Sequence, residues 1–198
     1  DFVESSAGDL HVSTALVREF LEREQAKLDT LLHGNGNEYA AELMGRMQEI
    51  MTDKVGIFRR GDWLQAAVDE LQALLVRSRD IGIGTKRAGS NPELVTAYRV
   101  QKMLKLALCV AYGALQRTES RGGHTRDDHP DMDANWRNIL LVCRTTPGQD
   151  PETEVPDVTV TPENQLPMRA DLLATFELSE LKKYYTAQEL AEHPEWSS

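Results

Sequence analysis

Apolar residues return every three or four positions in four stretches of the chain, the period of a helix that turns one face to a core. In the first stretch Val17, Phe20, Leu21, Leu28, Leu31 and Leu32 share a face until His33-Gly34-Asn35-Gly36 stops it. In the second, Ala40, Leu43, Met44, Met47, Ile50, Met51 and Val55 repeat the spacing, with Asn37 placed as an N-cap. The third, Leu64, Ala67, Val68, Leu71, Leu74, Leu75 and Ser78, is unbroken, and Asp62 with Gln65 has the spacing of a capping box. The fourth opens at Asn91-Pro92, a cap followed by proline at the first helical position, and runs to about Thr118. Its apolar positions Leu94, Val95, Tyr98, Met103, Leu104, Ala107, Leu108, Ala111 and Leu115 exceed one stripe. That helix is therefore expected to have neighbours on several sides and to be the most buried member of an antiparallel bundle.

After Thr118 the helical period is lost in a polar loop rich in glycine and aspartate. Trp136 to Cys143 and Pro156 to Thr161 read as two short strands around a Pro/Gly turn. Beyond Pro162 the chain is acidic and broken by prolines, with one short helix expected over about Ser179 to Glu192, anchored by Leu181, Tyr184, Tyr185 and Leu190. The predicted fold is mainly α: an antiparallel three- to four-helix bundle, then a short β-hairpin and an extended acidic tail. The corresponding boundaries are a leader over 1–13, a helical domain with short strands over 14–149 and the tail over 150–198.

The 198 residues are 40% apolar and 27% charged, ordinary for one domain plus a tail. The formal charge of -10 is concentrated after Gln149, where eleven acidic side chains face only Arg169, Lys182 and Lys183. A chain with this balance and no basic stripe cannot neutralise many phosphates, which excludes nucleic acid and an anionic membrane surface as main partners. Leu106 to Leu115, the longest apolar run, is about half of the roughly 20 residues that a membrane helix needs, so direct membrane insertion is excluded as well. Cys109 and Cys143 lie far apart without a C-x-x-C, and reduced structural thiols are expected. The first residues, Asp1-Phe2-Val3-Glu4-Ser5, carry neither a signal sequence nor an initiator methionine, so the chain is expected to start inside a longer protein.

Three features invite a functional reading. Gly82-Ile83-Gly84 with Lys86-Arg87 has the look of a phosphate loop, but it follows a helix with no strand before it, and a helix cap and turn is the better expectation. Asp127, Asp128, Asp131, Asp133 and Asn135, flanked by His124 and His129, fail as a calcium loop, because Trp136 stands where glycine is required and Val142 where a bidentate glutamate belongs. A His/Asp metal site remains open beside a solvated loop. The third feature is Glu119-Ser120-Arg121-Gly122-Gly123-His124-Thr125-Arg126-Asp127, where charges of both signs and two glycines end the longest helix. Glu119, Arg121, His124, Arg126 and Asp127 are assigned to domain docking, since two arginines and a histidine offer more donors than a small loop is expected to use internally. Arg121 and Arg126 only tying down the loop and capping the preceding helix is the competing reading. No nucleophile–base pair or dinucleotide fingerprint occurs, so no catalytic, cofactor or metal ligand is assigned.

That segment resembles the E-S-R-G-A-H-x-R-x-D motif of succinate dehydrogenase and fumarate reductase flavoprotein subunits. Met47-Gln48-Glu49-Ile50-Met51 with Val55-Gly56-Ile57-Phe58-Arg59 is similar to the family's M-Q-E-x-M and V-G-I-x-R helix. Asn91-Pro92-Glu93 resembles its N-P-E helix opening, and Asp131-x-Asp133-x-Asn135-Trp136 its D-D-x-N-W. Gly123 stands in place of the usual alanine, and Asp128-His129 where an aromatic usually precedes the proline. The resemblance covers about residues 14 to 143. It implies a C-terminal helical domain packed against the FAD-binding domain of a subunit that interconverts succinate and fumarate. Iron–sulfur and membrane-anchor subunits would complete the complex at the inner, cytoplasmic face of the membrane. The flavin and substrate sites of the family would lie before Asp1, leaving this chain without FAD. A free-standing adaptor that uses the same bundle is the second reading, suggested by the acidic tail.

Overall fold

The computed structural model describes residues 13–87, 89–146 and 157–197. The four periodic stretches are helices: α1 Thr14–His33, α2 Ala40–Lys54, α3 Gly61–Arg77 and α4 Pro92–Gln116. Two minimal strands, β1 Phe58–Arg59 between α2 and α3 and β2 Thr125–Arg126 after α4, pair in parallel. The hairpin strands are β3 Ile139–Thr146 and β4 Asp157–Asn164, antiparallel with Ile139 opposite Asn164 and Cys143 opposite Val160. The tail carries α5 Ala170–Leu173, α6 Leu178–Leu181 and α7 Ala187–Glu192. The expected leader lies outside the described residues except for Ser13, whose hydroxyl accepts from the Leu16 amide to cap α1. The expected Pro/Gly turn of the hairpin also lies outside them.

The core is where α2, α3 and α4 meet. Leu43, Met47 and Ile50 of α2 and Leu64, Val68 and Leu71 of α3 face Val100, Leu104 and Leu108 of α4, all of them buried. Ala97, Ala107, Ala111 and Ala114 are buried along α4, and such small side chains leave room for neighbours to approach. The hairpin lies on the same helix, with Val158 packed against the core.

Two expectations about faces are corrected. Helix α1 joins the core only through its last turns, at Leu31 and Leu32, while Leu16, Val17, Phe20 and Leu21 are exposed. Helix α4 is not surrounded among the described residues, for Val95, Met103, Leu106 and Val110 are exposed along one side.

Two caps are corrected too. Tyr39, not Asn37, precedes α2, and Asn37 instead donates its amide to Asp80 at 3.1 Å. Asp62 and Gln65 make no capping box; Gln65 bonds Asp69, and the α3 amide of Gly61 donates to Asp128 at 3.0 Å. The Asn91 cap holds, accepting from the Leu94 amide at 3.1 Å. Segments 35–38 and 80–82 pair by bridges, and they come so close that a Cβ on Gly82 would lie 2.0 Å from the Gly36 carbonyl oxygen.

The single tail helix expected over Ser179 to Glu192 is broken in two. Thr186 forms a capping box with Glu189 and starts α7 anew. The break turns Tyr185 inward against Leu173, Leu181 and Trp196, whereas Tyr184 stays half exposed. Arg137 clamps this small cluster to the body of the fold, stacked 3.5 Å over Tyr185 and paired through two 2.8 Å bonds with Glu189.

Leu71 and Leu108 are fully buried at the α3–α4 contact. Leu71→Ala or Leu108→Ala should each cost about 2–5 kcal/mol of stability, the range for a large-to-small change that leaves a cavity. The check is the urea unfolding midpoint, which should fall with no change in denaturant dependence.

Candidate functional site: the loop that closes the bundle

Helix α4 ends at Gln116 and leaves carbonyl groups without partners inside the helix. The Arg126 guanidinium fills that end. Its Nη1 donates to the carbonyls of Ala114, Leu115 and Arg117 at 3.1, 3.0 and 3.0 Å. Its other edge grips Asp128 through Nε and Nη2 at 2.8 and 2.7 Å, and Asp128 in turn accepts the first amide of α3. A cation thus sits at a helix C-terminus and an anion at a helix N-terminus, each matched to the local helix dipole. The hydrogen bonds from Arg126 come first among the causes that hold the Asp128 carboxyl well below its usual range. Arg126 is only 2% exposed while Asp128 lies at the surface, so this pair joins the buried end of α4 to the outer start of α3.

Glu119, fully buried, organises the other half of the loop. It accepts from Arg117 at 2.9 Å, from Arg121 at 2.9 Å and from the Asp133 amide at 3.0 Å. Burial alone would raise its pKa, but the bonds from Arg121 and Arg117 outweigh burial and hold it below the ordinary value. Arg121 also donates to the carbonyls of Asp133 and Tyr184, tying the tail to the loop. Gly122 adopts φ 60° in the tight turn closed by Arg121 and His124, a backbone shape that favours glycine. A Cβ on Gly123 would meet nothing within 4 Å, so the family's alanine would fit there equally well.

His124 is 6% exposed and its ring nitrogens are committed. Nε2 donates to the Arg117 carbonyl at 3.1 Å, which leaves the Nδ1 lone pair to receive Arg59 Nη1. Burial, with the positive charges of Arg59, Arg117 and Arg126, pushes its pKa from 6.5 down to about 4, so the ring is neutral at pH 7.

Arg59 is the residue that loop-based reasoning missed, although the V-G-I-x-R likeness contained it. It reaches the loop through the β1–β2 pairing and donates Nε to the Gly56 carbonyl at 2.6 Å. It pairs with no carboxylate among the described residues, and burial first, then Arg117 and Arg126, lower its pKa. Asp127 is its counterpart: the amide bonds the Arg59 carbonyl at 2.9 Å while the side chain is exposed. Arg126, Arg121 and His124 make their hydrogen bonds to the loop, the α4 end and the tail, while Arg59 is half-buried against the loop and the Asp127 side chain is exposed.

The two remaining features resolve locally. Gly84 and Thr85 donate their amides to the Glu93 carboxylate at 3.0 and 3.1 Å, so this turn already holds an anion of its own chain and does not fit the pyrophosphate of a dinucleotide. In the acidic run the Asp133 carboxylate caps the turn at Asn135, and the Asp131 backbone carbonyl accepts from the Ser120 amide. Among the described residues no three His, Cys, Asp or Glu side chains are placed to hold a metal ion.

A family model described as fumarate reductase flavoprotein C-term matches residues 44–172. The chain belongs to that family. The match begins within α2 and continues past the hairpin into α5, farther than the motif likeness reached. The fumarate reductase flavoprotein subunit of Helicobacter pylori is 46% identical over 145 residues, 73% of this chain and 20% of that protein. The succinate dehydrogenase flavoprotein subunit of Bacillus subtilis is 32% identical over 159 residues, 80% of this chain and 27% of that protein. A chain of the Mycobacterium smegmatis Sdh1 complex in the apo form superposes with a TM-score of 0.72 and 45% identity, over 92% of this chain and 30% of that one. The chain thus spans less than a third of the flavoprotein subunits it matches. Nothing in these likenesses favours a free-standing adaptor.

Two outcomes follow for this flavoprotein C-terminal domain. Arg126→Ala leaves the buried carbonyls at the end of α4 without a donor and removes the partner of Asp128, which lies at the surface, and should cost about 1–3 kcal/mol in urea unfolding, the range for buried acceptors left unsatisfied. Arg126→Lys should recover only part of the loss, because an ammonium cannot fork between helix carbonyls and a carboxylate. The second concerns pH. The His124 pKa is lower in the folded state, so unfolding takes up a proton between pH 6.5 and about 4, and stability must fall on acidification through that window. Between pH 6.5 and 5, above the titration of most carboxylates, the slope should approach about 1.4 kcal/mol per pH unit. His124→Gln should flatten it, as read from urea midpoints across that range.

Proposed function

We propose that this chain is the C-terminal structural and docking domain of a subunit that interconverts succinate and fumarate. Its partner in the first instance is the FAD-binding domain of the same subunit. An iron–sulfur subunit and a membrane anchor complete the complex, placing the domain at the cytoplasmic face of the membrane without entering it. No described helix is long and apolar enough to cross a membrane. The domain itself supplies no cofactor ligand: its glycine-rich turn is taken up by Glu93, and its buried ionic groups are paired for structural ends.

The observation that carries this reading is the family match over 44–172 together with the loop at the bundle's end. Glu119, Arg121, His124 and Arg126 make that loop rigid, and a rigid loop docks at little cost in entropy. What it presents outward is Asp127, the half-buried charge of Arg59, and the exposed apolar side chains of Ile57 and Phe58 on the strand beside it. Apolar anchors beside an exposed anion and a half-buried cation that meets no carboxylate among the described residues suit a partner surface of mixed character.

The test uses both the isolated chain and the full-length subunit. The isolated chain should purify without flavin absorbance and without succinate dehydrogenase activity. Asp127→Arg with Phe58→Ala should shift the isolated domain's stability by no more than about 0.5 kcal/mol, as surface changes usually do. In the full-length subunit the same pair should loosen flavin retention and assembly with the iron–sulfur subunit. Normal retention and assembly in that variant would exclude this face as the docking surface.

A further inference from the structure

The two cysteines, separated by 34 positions, come together where the hairpin lies on the last bundle helix. Cys143 Sγ of β3 lies 3.4 Å from the Cys109 carbonyl oxygen of α4 and donates to it. A Cβ built on Gly113, one turn further along α4, would lie 4.0 Å from the same sulfur. Cys143 therefore rests on the turn of α4 that Cys109 begins. Both thiols are free and half-buried, and both lie within the segment held by the α4–hairpin contact.

We infer that Cys109 and Cys143 form a reversible redox pair, a dithiol that closes to an intramolecular disulfide on exchange with low-molecular-weight disulfides. This goes beyond the docking role and does not rest on it. Exchange proceeds in two balanced steps. The Cys143 thiolate attacks one sulfur of the small disulfide, forming a mixed disulfide and releasing one small thiolate, which takes up the proton that Cys143 lost. Cys109, deprotonated in its turn, attacks Cys143 Sγ, and the second small thiol leaves. The protein gives up two electrons and two protons, and the small disulfide becomes two thiols. Burial first, and then the neighbouring Cys143, hold the Cys109 thiol above its ordinary pKa, so Cys109 is not the thiol that opens the exchange.

The bond would staple β3 to α4. Strand β3 starts at Ile139, two residues after the Arg137 that clamps the tail through Glu189 and Tyr185, so the staple would also restrain the tail's attachment. The pair was unreadable from spacing, because neither thiol has a cysteine neighbour in sequence and only the packing of hairpin on helix joins them.

Incubation of the folded chain with oxidised glutathione, followed by peptide mapping under non-reducing conditions, decides the matter. The expected result is loss of both free thiols, a cross-linked peptide containing Cys109 and Cys143, migration as a monomer, and reversal by dithiothreitol. Amide exchange across β3 and β4 should slow by about tenfold in the oxidised form, because local opening of the hairpin becomes constrained. Cys109→Ser, confirmed as folded by circular dichroism, should stop at the glutathione adduct of Cys143. The folded chain should also favour the internal bond over the adduct by at least about tenfold relative to the same chain in urea, since folding raises the effective concentration of one thiol at the other. A stable adduct on the folded wild-type chain, disulfide-linked dimers, or equal yields folded and in urea would overturn the inference.

Discussion

A guanidinium that faces two helix ends at once holds this domain together. Helix α4 finishes with carbonyls pointing at nothing, helix α3 begins with an amide in the same condition, and both ends must be satisfied where the chain is buried. Arg126 and Asp128, two residues apart, answer both requirements with one ion pair. The rest of the loop is arranged so that this pair stays in place. Ser120 accepts the Arg126 amide, the β1–β2 pairing fixes the strand that carries it, and Glu119 gathers Arg117 and Arg121 so that the neighbouring positive charges do not face one another unpaired. His124 fits only as a neutral ring, because it is a cushion between arginines and would otherwise add another positive charge to them.

What the sequence revealed and what it concealed divide along the distance between interacting residues. The period of α3 and α4 is local, so their extents and their buried leucines were readable, as was the Asn91 cap three residues from its amide. The start of α3 was not, because Asp128 comes from far along the chain and nothing near Asp62 announces it; nor was the bond from Asn37 to Asp80, which lies ahead of a helix that Tyr39 begins without a side-chain cap. Periodicity gave the apolar stripe of α1 correctly but could not say that only its last turns would find a core. The same limit applied to α4, whose extra apolar positions suggested a surrounding bundle and instead form an open side.

The loop shows the division most sharply. Its composition signalled that its charges had to be paired, and those of Glu119, Arg121 and Arg126 are. Counting donors against the loop alone missed the acceptors that the fold delivers: the end of α4, the Tyr184 carbonyl of the tail and the Asp133 backbone. Arg59 was visible only as the last letter of a family motif, since a two-residue parallel strand has too little pattern to be seen. Family likeness and physical reading therefore supplied different things. The first identified the segment, and the second explains why glycine stands at 122 and why a guanidinium is needed at 126.

The closing ion pair also sets an order of events. Every fully buried side chain in the apolar core of α2, α3 and α4 precedes residue 117, yet the groups that finish the ends of two of those helices follow it. During synthesis, when a domain emerges residue by residue, the three helices are in hand before their fastening is. Until Asp128 clears the ribosome, the start of α3 and the end of α4 remain wet and frayed, and the bundle is a nascent assembly waiting for twelve more residues beyond Gln116. The segment that looks like a linker between bundle and hairpin is thus the last step in making the bundle itself.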